Sequence, residues 1–110
     1  MVTYTPERGD VVWLTFGPSK GHEQTGRRPA LVLSPRLYNQ KTGLALFCPI
    51  TSKMKGYQFE VVLTGSMAGV VLADHVRLYD WRERKIGFIE RAPTEVVEET
   101  RAKLSALING

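Results

Sequence analysis

The chain has few of the thiols and imidazoles from which zinc centres and disulfide frameworks are built. Its 110 residues include one cysteine, Cys48, and two histidines, His22 and His75. A single thiol excludes an intrachain disulfide, and nothing in the sequence has the ligand spacing of a zinc site. Asp74 and His75 are adjacent on an expected strand, which sends their side chains to opposite faces and argues against a shared ion. Cys48 has no base placed beside it for nucleophilic work, so it reads as a small core residue. Gly21 and Gly26 stand too far apart for either nucleotide-binding fingerprint, and no helical pattern follows them, so ATP or NAD is not supported. No apolar run approaches the length of a membrane span. The opening residues, Met1 to Pro6, lack a basic segment followed by an apolar one, so no signal peptide is visible. No metal, cofactor or membrane is therefore expected, and the expected location is the cytoplasm. Repeats, low-complexity segments and linkers are also lacking.

What is present fits one small folded domain, residues 1–110. A chain of this size has little core to spare, so association with a second copy is plausible. The net charge is +4 and it is unevenly spread. Residues 1–60 carry eight Lys/Arg and four Asp/Glu, whereas residues 61–110 carry seven of each. The excess positive charge thus lies in the first half, which suits an anionic partner such as nucleic acid.

Short apolar runs alternate with turns. Val11–Phe16, Ala30–Leu33, Leu44–Ile50, Phe59–Leu63, Val70–Leu78 and Lys85–Arg91 read as strands. Pro49 argues for an edge or a bulge in the third of these. Ser34-Pro35 reads as a helix start, with a short helix over Pro35–Lys41 closing near Gly43. From Pro93 onward the apolar period lengthens, and Val97, Leu104, Leu107 and Ile108 mark one face of a C-terminal helix. The acids Glu95, Glu98 and Glu99 precede Arg101 and Lys103, an order that suits the helix dipole. Several short strands and a closing helix predict a small, strongly bent sheet or barrel.

Between the first two strands lies Pro18–Pro29, a polar loop longer than a simple connection requires. It holds Glu23 and Arg28, with Lys20, His22, Gln24 and Arg27 around them. Arg28 opens one strand and Thr51 closes another. If those ends face the same way, a guanidinium and a hydroxyl converge on one phosphate. Arginine offers paired donors in fixed geometry while remaining charged, which suits stabilisation of developing phosphoryl charge. Glu23 could then take a proton from a hydroxyl nucleophile. The plain alternative pairs Arg28 with a surface carboxylate, leaves Glu23 solvated and gives Thr51 to a turn. Taken alone, these residues favour that plain account.

A resemblance changes the balance. The run Gly21-His22-Glu23-Gln24-Thr25-Gly26-Arg27-Arg28-Pro29-Ala30-Leu31-Val32-Leu33-Ser34 is similar to the G-x-E-Q-x-G-x-R-P-[AV]-[VL]-V-[LI]-S motif of the MazF/PemK family of toxin endoribonucleases, nearest its enteric branch. Gly9-Asp10-Val11-Val12-Trp13 resembles the family's opening strand. The likeness continues through Tyr38-Asn39, Pro49-Ile50-Thr51-Ser52, Phe59-Glu60-Val61 and Leu72-Ala73-Asp74-His75-Val76, and so covers nearly the whole chain.

The resemblance implies an SH3-like barrel, mainly β with a short internal helix and a C-terminal helix, assembled as a homodimer. It implies metal-independent cleavage of single-stranded RNA at short motifs, by 2′-hydroxyl attack that leaves a 2′,3′-cyclic phosphate and a 5′-hydroxyl. It also implies an acidic, MazE-like antitoxin lying across the basic groove. Arg28 matches the catalytic arginine, assigned to phosphate charge and to the leaving oxygen. Thr51 matches the catalytic threonine, and Glu23 the acid that would serve as base. Lys20, Gln24, Arg27, Ser52, Lys53, Lys55, Asp74 and His75 are expected RNA contacts. Tyr57, Trp81 and Trp13 are aromatic rings able to stack on bases, although Trp13, inside an apolar strand, reads better as core. Two positions depart from relatives. Leu72 stands where some carry an arginine, and His75 where a glutamine is common. A gyrase-binding toxin on the same fold, and a plain SH3-like binding module, are the alternatives. Neither explains the E-Q-x-G-x-R-P loop together with Thr51.

Overall fold

The computed structural model describes residues 4–17 and 26–110. In chain order these form β1 (Asp10–Phe16), β2 (Gly26–Val32), α1 (Arg36–Thr42), β3 (Leu44–Thr51), β4 (Glu60–Leu63), β5 (Gly69–Leu72), β6 (Arg77–Asp80), β7 (Gly87–Arg91) and α2 (Thr94–Asn109). The strands pair antiparallel in the order β4-β5-β3-β2-β1-β7, with β6 also on β3. β3 is the pivot. Its first half, Leu44 to Phe47, pairs with β6, and its end, Ile50-Thr51, pairs with β5. The sheet bends sharply there into the expected small SH3-like barrel.

Pro49 is therefore not on an outer edge. It is paired with Ala30 of β2 on one side and lies between the end of the β6 pairing and the start of the β5 pairing on the other. A residue without an N–H fits where the ladder changes partners.

β1 and β2 carry apolar residues at consecutive positions because both of their faces are covered. Val11, Leu31, Leu33, Cys48, Ile50, Val61, Leu63 and Val71 form one core, closed by Val96 and Val97 of α2. Val12, Leu14, Phe16, Ala30, Val32, Ala45 and Phe47 form a second, closed by Trp81.

The sequence reading is corrected at several points. β2 begins at Gly26, ahead of the expected Ala30, so Arg27 also lies in the strand that Arg28 was expected to open. The expected long strand over 70–78 is two strands separated by a 3₁₀ turn, Ala73–His75. Leu107 and Ile108, expected on the buried face of α2, are exposed. The short helix ends at Gly43 as expected, with φ of 74° and its N–H donating to the Asn39 carbonyl at 3.0 Å. At its start, however, Ser34 does not cap. The Ser34 hydroxyl donates to Asn39 Oδ1 and accepts from the Leu46 N–H at 2.8 Å. The Asn39 amide in turn donates to the carbonyls of Pro6 at 2.9 Å and Ser34 at 3.0 Å, so a fully buried amide has partners for its polar atoms.

Asp10 anchors the opposite end of β1. Its nearly buried carboxylate accepts from Arg91 Nη1 at 2.7 Å, from the Glu7 N–H at 3.0 Å and from the Tyr4 hydroxyl. Burial and the neighbouring Asp10 carboxylate push the Tyr4 phenol well above its usual range. No helix among the described residues is long and apolar enough to cross a membrane.

Candidate active site groove

A groove of about 740 Å³ opens beside the β3–β4 connection, lined by Arg28, Thr51, Ser52, Lys53, Lys55, Tyr57, Glu60, Leu72 and His75. The strand register explains why Arg28 and Thr51 share it. β2 and β3 pair Leu31 with Cys48 and Ala30 with Pro49. The ladder ends there, and Arg28 and Thr51 each lie two residues beyond that last pair, on the face their strands share with Ala30 and Pro49. That face is continuous with the second core through Ala30, Val32, Ala45 and Phe47. The apolar layer ends where the guanidinium and hydroxyl begin.

Ser52, Lys53, Lys55 and Tyr57 come from the exposed segment that leaves β3. The Thr51 hydroxyl accepts from the Lys53 N–H at 3.2 Å, which turns the chain outward. Glu60, the first residue of β4, holds the far end of the segment. Its carboxylate accepts from the N–H groups of Lys55 at 3.0 Å, Gly56 at 3.0 Å and Tyr57 at 3.3 Å. In the sequence, Glu60 stands out only within Phe59-Glu60-Val61. Its place on the groove wall depends on a turn that residue types do not announce.

Asp74 and His75 enter from the 3₁₀ turn. On a straight strand they would point apart, but the turn brings His75 Nε2 to 3.9 Å from Asp74 Oδ1. Asp74 Oδ2 accepts from the Tyr57 hydroxyl. That bond, with the negative charge behind it, raises the Tyr57 phenol above its usual range. Asp74 thus meets Tyr57, whereas His75 lines the groove itself.

Other expected contacts lie elsewhere. Arg27 donates to the Lys85 carbonyl at 2.6 Å, away from the groove lining. The aromatic assignments exchange places. Trp13 is 40% exposed and not core, because its β7 neighbour is Gly87, while Trp81 is 3% exposed and cannot stack on a base. The Trp81 indole donates to the Asn39 carbonyl at 3.1 Å. Lys20, His22, Glu23 and Gln24 lie outside the described residues. Among the described residues, no group of three or more His, Cys, Asp or Glu is arranged to hold a metal ion. Cys48 is buried, and desolvation pushes its thiol up to about 12, which removes it as a nucleophile.

Comparison with known proteins agrees with this architecture. Residues 7–108 match the family described as PemK-like, MazF-like toxin of type II toxin–antitoxin system. The chain is 47% identical over 106 residues to the endoribonuclease toxin MazF of Escherichia coli K12, covering 96% of each protein. It superposes on the crystal structure of MazF from Deinococcus radiodurans with a TM-score of 0.93 and 53% identity, over 98% of this chain and 100% of that one. A MazE–MazF structure from the same organism matches with a TM-score of 0.88 and 53% identity, over 97% and 98% of the two chains.

Proposed function

The chain belongs to the PemK-like, MazF-like toxin family, and from that premise we propose that it is the endoribonuclease toxin of a type II toxin–antitoxin pair. The observation that carries the reading is the placement of Arg28 and Thr51 on one wall of a groove edged by lysines and an aromatic ring. Single-stranded RNA needs cations for its phosphates and exposed rings for its bases. Lys53, Lys55 and Tyr57 supply both, with Ser52 and His75 facing the same space.

The reaction needs little beyond positioned charge. The 2′-hydroxyl of one nucleotide attacks the adjacent phosphorus, its O–P bond forms, and the bond to the 5′-oxygen breaks. The products are a 2′,3′-cyclic phosphate and a 5′-hydroxyl. Arg28 donates to the phosphoryl oxygens as negative charge grows on them. A guanidinium remains protonated throughout, so it assists the leaving oxygen by hydrogen bonding, and the final proton comes from water. Thr51 orients the phosphate. Glu23 is the base that accepts the 2′-hydroxyl proton, without a metal ion.

An acidic MazE-like antitoxin is the expected inhibitor, drawn to the positive half of the chain. The working form is a homodimer in the cytoplasm. A gyrase-binding toxin or a plain SH3-like module would leave the Arg28–Thr51 groove without a task.

The test is incubation with a long single-stranded RNA in excess EDTA, beside Arg28→Ala. Discrete cuts with 5′-hydroxyl ends, surviving chelation and absent in the variant, are expected. Equal cutting by both proteins, or none by either, overturns the reading.

A further inference from the structure

The segment that walls the groove is held in an unusual way. Three successive backbone N–H groups, from Lys55, Gly56 and Tyr57, converge on the Glu60 carboxylate at 3.0–3.3 Å. Such a row of amides makes a concave anion site. Here the anion is supplied from within the chain. Glu60 also donates its own N–H to the Tyr57 carbonyl at 3.0 Å, closing the turn from the other side. Gly56 takes a φ of 76°, which lets its N–H join its neighbours. Behind the turn, Lys103 Nζ of α2 donates to the carbonyls of Gln58 at 2.6 Å and Glu60 at 3.1 Å.

The side chains follow from the backbone. Tyr57 is 46% exposed, its ring tilted against Phe59 at 5.8 Å between centroids, and its hydroxyl is fixed by Asp74. One residue is thereby tied at its N–H by Glu60 and at its phenol by Asp74. Residues 52–58 are all exposed, so without these ties every RNA contact the segment made would carry an ordering cost.

We propose that Glu60 is a positioning residue for RNA recognition: its carboxylate templates the Lys55–Tyr57 turn so that Tyr57 is presented as a pre-set stacking platform, with Asp74 fixing the ring. This rests on the ribonuclease reading above. Glu60 touches no reacting atom. Its contribution is to RNA binding and to the choice of cleavage site.

The test compares Glu60→Ala and Glu60→Gln with the unaltered protein. In free protein, amide hydrogen exchange at Lys55, Gly56 and Tyr57 accelerates at least about tenfold in Glu60→Ala, while the β1–β3 amides keep their protection. On RNA, KM rises about tenfold and kcat stays within about threefold, with additional cleavage sites appearing. Glu60→Gln retains one acceptor oxygen and falls between; it carries the test if Glu60→Ala does not fold. Unchanged exchange at the turn, a fall confined to kcat, or loss of β1–β3 protection in the variant that folds overturns the proposal. The exchange measurement does not depend on cleavage. With cutting by the unaltered protein and none by Arg28→Ala as control, failure of the positioning role is distinguishable from failure of the ribonuclease reading.

Discussion

Arg28 of β2 and Thr51 of β3 line the same groove, each two residues past the Ala30–Pro49 pair that ends the β2–β3 ladder. Their convergence is a property of strand pairing. The residues that fill the second core, Ala30 on one strand and Phe47 on the other, also fix where the polar pair emerges. Core packing and site geometry are thus one set of contacts.

In the role proposed for Arg28, removing the guanidinium takes away charge stabilisation needed only as the reaction proceeds. Arg28→Ala is expected to lower kcat by about 10²–10³-fold, the usual effect of losing one such donor. Arg28→Lys keeps the charge without the planar fork and is not expected to restore activity. Thr51→Ala should cost less. Single-turnover cleavage assays, with thermal melts to confirm folding, check all three.

Gly69 tests the same geometry from behind. A Cβ at that position would meet the Thr51 carbonyl oxygen at 2.8 Å and Ile50 Cγ2 at 3.2 Å. Gly69→Ala must therefore displace the end of β3. A shift near 1 Å at a catalytic group costs on the order of 100-fold, so kcat is expected to fall substantially although residue 69 is outside the groove lining. Unchanged kcat would show that the end of β3 does not control the site.

Salt dependence separates groove binding from apolar contact. Arg28, Lys53 and Lys55 on three phosphates give a log–log slope of about −2 for single-stranded RNA. Lys53→Ala should flatten it by about 0.7. Binding measured by fluorescence anisotropy between low and moderate salt checks both values, and a flat profile contradicts the charged groove.

Cys48 offers a pH test. Burial raises its thiol from 9.0 to about 12. The folded state therefore favours the neutral thiol, and this contribution to stability is complete below pH 9 and lost as pH rises from about 9 to about 12. Alkylation at pH 8 should be negligible in the folded protein and rapid in denaturant. Equal rates would place the thiol at the surface.

Asn39 is expected to matter for folding and not for chemistry. Its buried amide joins Ser34, Pro6 and, through Ser34, the Leu46 N–H. Asn39→Ala leaves several of these groups unpaired, at a cost of about 2–4 kcal/mol. Tm should drop by more than about 8 °C, with kcat per folded molecule unchanged.

The sequence reading located most elements because strand composition and the Gly43 stop are local signals. It missed what depends on neighbours. The two tryptophans exchanged roles because exposure at Trp13 is set by Gly87 across the strand, and burial at Trp81 by α1 behind it. The 3₁₀ turn at Ala73–His75 was hidden inside an apolar run, and with it the approach of His75 to Asp74. Arg28 and Thr51 are identifiable as types, yet only the β2–β3 pairing behind them brings both to one groove. Glu60 lies in the Phe59-Glu60-Val61 run, but the three amides that meet its carboxylate are not announced by any side-chain pattern.

The two-sided burial of β1 has a further consequence for how such a chain can diverge. Val11 answers to one core, and Val12, Leu14 and Phe16 to the other, so a substitution at any of the four disturbs tightly packed neighbours. The scaffold is costly to alter. The exposed segment after Thr51, which carries Lys53, Lys55 and Tyr57, packs into neither core. A mutational scan should find tolerance concentrated there outside Glu60's hydrogen-bonded turn. Descendants of this chain can then acquire new RNA preferences by editing the rim of the groove while inheriting the barrel unchanged.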